Sequence, residues 1–396
     1  MNKYFKVLSY IILTIAIILM AYKFMVPANF GEETVSLRLQ TAVYNGDLKE
    51  VEKILDKYYI DLNDEELFFG HLPLFIAVEK GNKQMVSFLV ERGADVNKEI
   101  FGRIYSNAMI VAIDQEDIEM IELLVSLGYD IKSKNHRGEN PLIFALKREK
   151  SLEIIEKLVE LGVELDDTDD LDKNPLHWAA LSGSQDIYDY LLTFQLDEWE
   201  KTDQGETMIH LATKSGNLQF LKYIISRGFD VYAKNNLGQN ILFYVSNYDV
   251  LNYLYTNYDL NLEVVDNRGF TPLFNMLVIE NETSRREIVD FYLEKGIDVN
   301  YQNNSGISYL HQVVFMRDYY LVKRLLEKGI EVNKKDDFGR TPLHIAVETF
   351  DETVTLDIVK ALLETGADKS IRDIDGNTPL DIAMKWNNRA VIELLR

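Results

Sequence analysis

One phrase constrains this chain more than any other. Residues Arg340 to Ala346 read RTPLHIA, and the phrase recurs with substitutions: Thr271-Pro272-Leu273-Phe274, Asn174-Pro175-Leu176-His177-Trp178-Ala179, Asn140-Pro141-Leu142 and Thr378-Pro379-Leu380. Its central apolar residue falls at Leu74, Met109, Leu142, Leu176, Ile209, Leu242, Leu273, Leu310, Leu343 and Leu380, in steps of 31 to 37 residues. A chain that repeats itself at that period is built from one small structural unit. No such unit can bury its apolar face alone, so neighbours must stack into a continuous core.

Each residue of the phrase has a structural job. Thr341 can cap a helix, and Pro342 then occupies the first helical position, where its missing N–H costs nothing. Leu343 faces the core, and Ala346 is small enough for helices to approach. Gly339 permits a tight turn ahead of the phrase. A second apolar period follows, as in Ile358-Val359 and Leu362-Leu363, and closes with Gly366-Ala367-Asp368. Gly93-Ala94-Asp95, Gly128-Tyr129-Asp130, Gly228-Phe229-Asp230 and Gly329-Ile330-Glu331 close other repeats in the same way. A glycine there suits the left-handed residue that ends a helix. Each repeat therefore reads as turn, short helix, short helix, loop.

A period near 33 with T-P-L-H-x-A resembles the ankyrin-repeat family, over about 360 of the 396 residues. The resemblance implies an all-α fold: a solenoid of about eleven helix-turn-helix units carrying β-turn fingers, over residues 34–396. It also implies a binding module, with a partner held along the fingers and first helices on a concave face. Family resemblance points to the position after each finger glycine, here Arg103, Glu139, Lys173, Glu206, Gln239, Phe270, Ile307, Arg340 and Asn377. Asp172 replaces the glycine before Lys173. These residues vary while the flanking scaffold repeats, the pattern of a tuned recognition strip; drift at exposed positions gives the same pattern. Phe270 and Ile307 are expected as exposed apolar anchors on adjacent fingers.

Composition narrows the partner. The formal net charge is −22. Such a field repels phosphates, so nucleic acid is not expected as a ligand, and it favours a basic protein partner or simply keeps a long array soluble. The absence of cysteine excludes disulfides, thiolate metal sites and cysteine nucleophiles.

Residues 1–26 differ from the rest. Lys3 and Lys6 precede an apolar run from Val7 to Tyr22, which reaches a bilayer-spanning length only if Lys23 to Val26 are added. The expectation is a transmembrane signal anchor over residues 7–26, then a linker over 27–33. The alternatives are a cleaved signal peptide, with Val26-Pro27-Ala28 near the cut, and a buried core helix. Lysines before the run and Glu32 and Glu33 after it favour repeats outside the cytoplasm.

Catalytic motifs are missing: there is no G-x-S-x-G, G-x-x-x-x-G-K-S/T or H-E-x-x-H. His177, His210, His311 and His344 all sit at the fourth place of the phrase, where an imidazole can bridge the cap hydroxyl and an adjacent turn. His71 and His136 lie at turns without ligand spacing. Asp166 to Asp170 form an acidic cluster at the place of a finger, a solvated loop with calcium as the alternative. No cofactor, metal, catalytic residue or small-molecule substrate is expected. The chain is expected to be a non-enzymatic, membrane-tethered protein-interaction scaffold, with a secreted binder or inhibitor as the alternative. The irregular stretch is repeat seven, Asn240 to Val245, which lacks proline, histidine and alanine. It is rich in tyrosine (Tyr244, Tyr248, Tyr253, Tyr255, Tyr258), several of which are expected in the core. Repeats eight and ten gain about four residues, near 279–285 and 349–355.

Overall fold

A computed structural model describes residues 31–100, 106–348 and 353–396. The expected anchor over 7–26 lies outside the described residues, as do Arg103 and part of the repeat-ten insertion. Among the described residues no helix is long and apolar enough to cross a membrane. The described residues divide into two compact parts, one ending at residue 164 and the other beginning at 165.

The first part holds repeats one to four as helix pairs. These are Gly31–Tyr44 with Leu48–Lys57, Pro73–Glu79 with Lys83–Glu91, Ala108–Gln115 with Ile118–Ser126, and Pro141–Lys147 with Leu152–Glu160. Residues 31–33, expected as linker, are helical. Asp47, Asn82 and Asp117 each cap a second helix by accepting the amide three residues on. Such a cap is worth about 1 kcal/mol. The long connection after Tyr58 is not a free loop, because Phe68 inserts fully into the core. Gln40 Nε2 donates to the carbonyls of Phe68 and His71.

The second part holds repeats five to eleven. Regular pairs are Pro175–Ser182 with Gln185–Leu192, Met208–Ser215 with Leu218–Ser226, Tyr309–Phe315 with Tyr319–Glu327, and Pro379–Lys385 with Arg389–Leu395. In repeat eight the extra residues lengthen the second helix to Glu282–Glu294. Arg285 ties it down, donating to the Ile279 carbonyl and to Asp318 at 2.7 Å. In repeat ten the second helix runs Thr353–Glu364.

The central residue of the phrase is buried in every repeat from Leu74 to Leu343, and Leu380 is half-buried. Each such burial contributes on the order of 1.5–3 kcal/mol. Repeat seven corrects one expectation. None of its five tyrosines is buried. The helix Tyr248–Asn257 keeps an apolar stripe of Val250, Leu251 and Leu254, which fills the core and turns the tyrosines outward. Its first helix has shrunk to a single 3-10 turn, Ile241–Tyr244.

Candidate functional site

The fingers are built from their own side chains. In each finger whose strip residue is described, an Asp, Asn or Thr four residues before the strip position accepts the amide of the strip residue. Asp266 Oδ1 takes the Phe270 N–H at 2.9 Å, and Asn303 Oδ1 takes that of Ile307 at 3.0 Å. Asp336 and Asp373 do the same for Arg340 and Asn377 at 2.9 and 2.8 Å. Asn135, Asp169 and Asn235 serve Glu139, Lys173 and Gln239, and Thr202 Oγ1 serves Glu206. Asp169, a member of the acidic cluster, is thus a turn-forming residue. Among the described residues no three acidic or histidine side chains gather as a metal site.

Successive fingers in the second part are laced together. Asn236 N–H donates to the Gln204 carbonyl, Asn267 to Leu237, and Ile374 to Phe338, each at 2.9 Å. The finger glycine is required by this lacing. At Gly205, φ is +74°, and a Cβ would stand 2.9 Å from the Asn236 backbone nitrogen. Asp172, where the glycine is missing, holds φ at +55°. A non-glycine residue there bears a cost of about 1 kcal/mol, eased for aspartate.

Four histidines fasten the fingers to the helices. The Nδ1 of His177, His210, His311 and His344 accepts the N–H of the cap residue three positions earlier, at 3.1 to 3.2 Å. The proton is therefore on Nε2, which donates to a carbonyl of the following repeat: Glu200 at 3.1 Å, Gln239 at 3.3 Å, Arg340 at 3.0 Å and Asn377 at 3.3 Å. Burial pushes the pKa of all four below the ordinary value, against the smaller upward pull of the carbonyls, so they are neutral and structural. Gln239, Arg340 and Asn377 belong to the strip. Their backbones are held from both sides, by the finger's own side chain and by the preceding histidine.

The side chains of the strip are less available than expected. Glu139, Glu206 and Gln239 are buried, and Lys173, Phe270, Ile307, Arg340 and Asn377 are half-buried. Lys147 Nζ lies 2.5 Å from Glu139. Lys173 pairs with Glu206 at 3.4 Å. Gln239 Nε2 donates to Asp266 Oδ2 at 2.8 Å. Although burial works to raise it, Asp266 is held below its usual pKa by donors from Phe270, Gln239 and Arg268. Arg340 is turned onto Asp336 of its own finger, 2.8 Å away. Phe270 packs its ring edge-on against Phe274 at 5.2 Å. These side chains find partners in their own repeat or, for Lys173 with Glu206 and Gln239 with Asp266, on the neighbouring finger, rather than standing in open solvent.

The exposed apolar residues are elsewhere on the fingers. Phe338 is 59% exposed and Ile374 72%, and the Ile374–Phe338 backbone bond sets their tips side by side. Leu171 is exposed at another tip, and Phe315 at the end of the first helix of repeat nine. The sequence carried a signal for the tips: an apolar residue between the turn-forming aspartate and the glycine, in a segment that has no core to face.

Comparison with known proteins agrees with this architecture. Family profiles described as "Ankyrin repeats (3 copies)" match residues 39–135, 108–198, 209–303, 275–373 and 310–396, and one described as "Ankyrin repeats (many copies)" matches 176–225. A "Putative ankyrin repeat protein L81" of Acanthamoeba polyphaga mimivirus is 32% identical over 111 residues, 27% of this chain and 39% of that protein. The "Ankyrin repeat and SAM domain-containing protein 6" of Rattus norvegicus is 27% identical over 103 residues, 26% of this chain and 11% of that protein. A "Putative ankyrin repeat protein FPV022" of Fowlpox virus (strain NVSL) is 25% identical over 108 residues, 20% of this chain and 19% of that protein. In each case the match spans well under half of the relative. With profiles covering most of its length and the phrase, helix pairs and laced fingers all in place, the chain belongs to the ankyrin-repeat family.

Proposed function

We propose that this chain is a non-enzymatic scaffold that binds a protein partner along its fingers, with the exposed pair Phe338 and Ile374 as the apolar anchor. The observation that carries this reading is that pair, adjacent and solvent-facing on two fingers whose backbones are already fixed. Preorganised fingers lose little entropy on binding, and clustered apolar tips are where hot spots form. The half-buried strip residues, Phe270 and Ile307 among them, would shape the rim, and the acidic field would steer a basic partner toward it.

The test is cross-linking of the full chain in its native cells, followed by identification of what is attached. Phe338→Glu with Ile374→Glu should lose the cross-linked partner while leaving the helical circular dichroism unchanged. The pair Phe270→Glu with Ile307→Glu should weaken it less. An unchanged cross-link with both pairs would overturn the reading.

A tether through residues 7–26 is part of the same proposal, supported by the sequence pattern alone. The alternative, a secreted binder, is supported by the small residues near Val26-Pro27-Ala28. Protease treatment of sealed vesicles separates them: repeats digested from outside with residues 1–26 retained in the membrane support the tether, and a soluble protein starting near Asn29 supports secretion.

A further inference from the structure

The chain has 64 acidic and 42 basic residues, so a cation left without a carboxylate is informative. A half-enclosed cavity of about 250 Å³ lies in the first compact part. It is lined by Ser106, Arg137, Glu139, Phe144, Lys147 and Arg148, with Asn135 and His136 completing the wall. Neither Arg137 nor Arg148 forms an ion pair among the described residues. Arg148 instead lays its guanidinium over the Phe144 ring, 5.5 Å from the centroid. That contact holds the guanidinium at the cavity wall without using its N–H donors. The one carboxylate in the wall, Glu139, is already neutralised by Lys147 at 2.5 Å and by Asn135 Nδ2 at 2.8 Å. His136 Nδ1 is taken up by Glu99 at 2.9 Å. Ser106 is 1% exposed, and its Oγ has no hydrogen-bond partner among the described residues. An orphaned buried hydroxyl beside two idle guanidinium groups is a set of donors without an acceptor.

We propose that this cavity receives a carboxylate of the protein partner, seated between Arg137 and Arg148 with Ser106 as a further donor. The proposal rests on the binding reading above and adds one chemical requirement to the partner: a carboxylate that enters repeat four. The volume suits one acidic side chain or a chain terminus and falls below that of pockets for drug-sized ligands such as nucleotides. The planar fork of arginine matches a carboxylate in two-point geometry. A partner that is basic overall and carries one such acidic group satisfies both the field of the array and this pocket.

The test is selection of a random decapeptide display library on the full chain, with the double variant Arg137→Glu, Arg148→Glu in parallel and circular dichroism as the folding control. Enriched peptides should share one Asp or Glu at a fixed position. Their affinity should fall roughly tenfold or more on the double variant and by less on Ser106→Ala. Repeating the measurement with Arg148→Ala alone guards against a charge reversal that disturbs the fold. Amidating the peptide terminus distinguishes the source: lost binding means a terminal carboxylate, retained binding a side chain. If enriched peptides bind the double variant equally well, the pocket proposal falls while partner binding stands. If no peptide is enriched on either protein, both fall. If phosphoserine in place of the acidic residue binds more tightly, the carboxylate assignment is overturned.

Discussion

Repeats six and seven follow one another in the same compact part and keep the same core, yet only one has a complete first helix. Repeat six has Thr207 as cap, His210 at the fourth place and an eight-residue helix, Met208–Ser215. Repeat seven has Phe243 at the equivalent place and a four-residue 3-10 turn. Both bury their central residue completely, Ile209 and Leu242. The apolar pattern is therefore enough to stack a repeat even where its first helix is reduced to one turn. The histidine is not required for the helix itself, since Pro73–Glu79 and Ala108–Gln115 form without it; what it adds is a bond to the following repeat. In repeat seven Asn235 and Tyr244 replace part of the lost fastening: Asn235 Nδ2 donates to the Tyr244 hydroxyl at 2.7 Å, and that ring packs edge-on to His210 at 5.1 Å.

Giving repeat six the residue of repeat seven is the sharpest test. His210→Phe keeps the bulk but orphans the Thr207 N–H and removes one of the two donors to the Gln239 carbonyl, which keeps the Asn235 N–H, so it should destabilise the protein by about 1–3 kcal/mol. Urea unfolding followed by circular dichroism measures it, and a loss under about 0.5 kcal/mol would break the comparison. Native-state amide exchange reads the same difference without mutation. The amides of 242–245 should exchange roughly a hundredfold faster than those of 211–215, because a single 3-10 turn opens locally. Equal protection would mean that packing alone holds the helix.

Glycines offer a smaller contrast. Gly205→Ala meets both a left-handed φ and the Asn236 backbone, whereas Gly228, at φ +97°, has nothing within 4 Å of a new Cβ. The first should cost about 2–3 kcal/mol and the second about 1 kcal/mol. Similar melting temperatures for the two variants would show that finger lacing contributes little. The smallest effect is on pH. The four phrase histidines titrate below 6.5 when folded, so the unfolded chain takes up their protons first. Stability from them is full above about pH 6.5 and falls as the pH drops toward the folded values, by at most about 1.4 kcal/mol per histidine for each pH unit. His210→Phe should flatten this slope between pH 6.5 and 5; an unchanged slope would assign it to other groups.

Much of the fold was legible because the repeat phrase is a local code. The Thr-Pro cap, the buried leucine, the bridging histidine and the closing glycine each act within one or two turns of chain. The binding strip was less legible. Its positions could be read from the finger glycine, but Lys173 beside Glu206, or Gln239 beside Asp266, is a contact between different fingers. Such contacts depend on how closely successive turns approach, which no single repeat reveals. The tyrosines of repeat seven misled for a related reason: their number suggested core bulk, while Val250, Leu251 and Leu254 already supplied it.

The sequence by itself determined the period, the helix pairs and the residues that cap and fill them, because those rest on short-range sterics and on apolar spacing. Tertiary structure decided which polar side chains remain for a partner. Within the second part, stacking brings one finger against the next and pairs Lys173 with Glu206 and Gln239 with Asp266, while Glu139 is taken up inside its own repeat by Asn135 and Lys147. Arg137, Arg148, Phe338 and Ile374 are left without an internal charge partner or a core to enter.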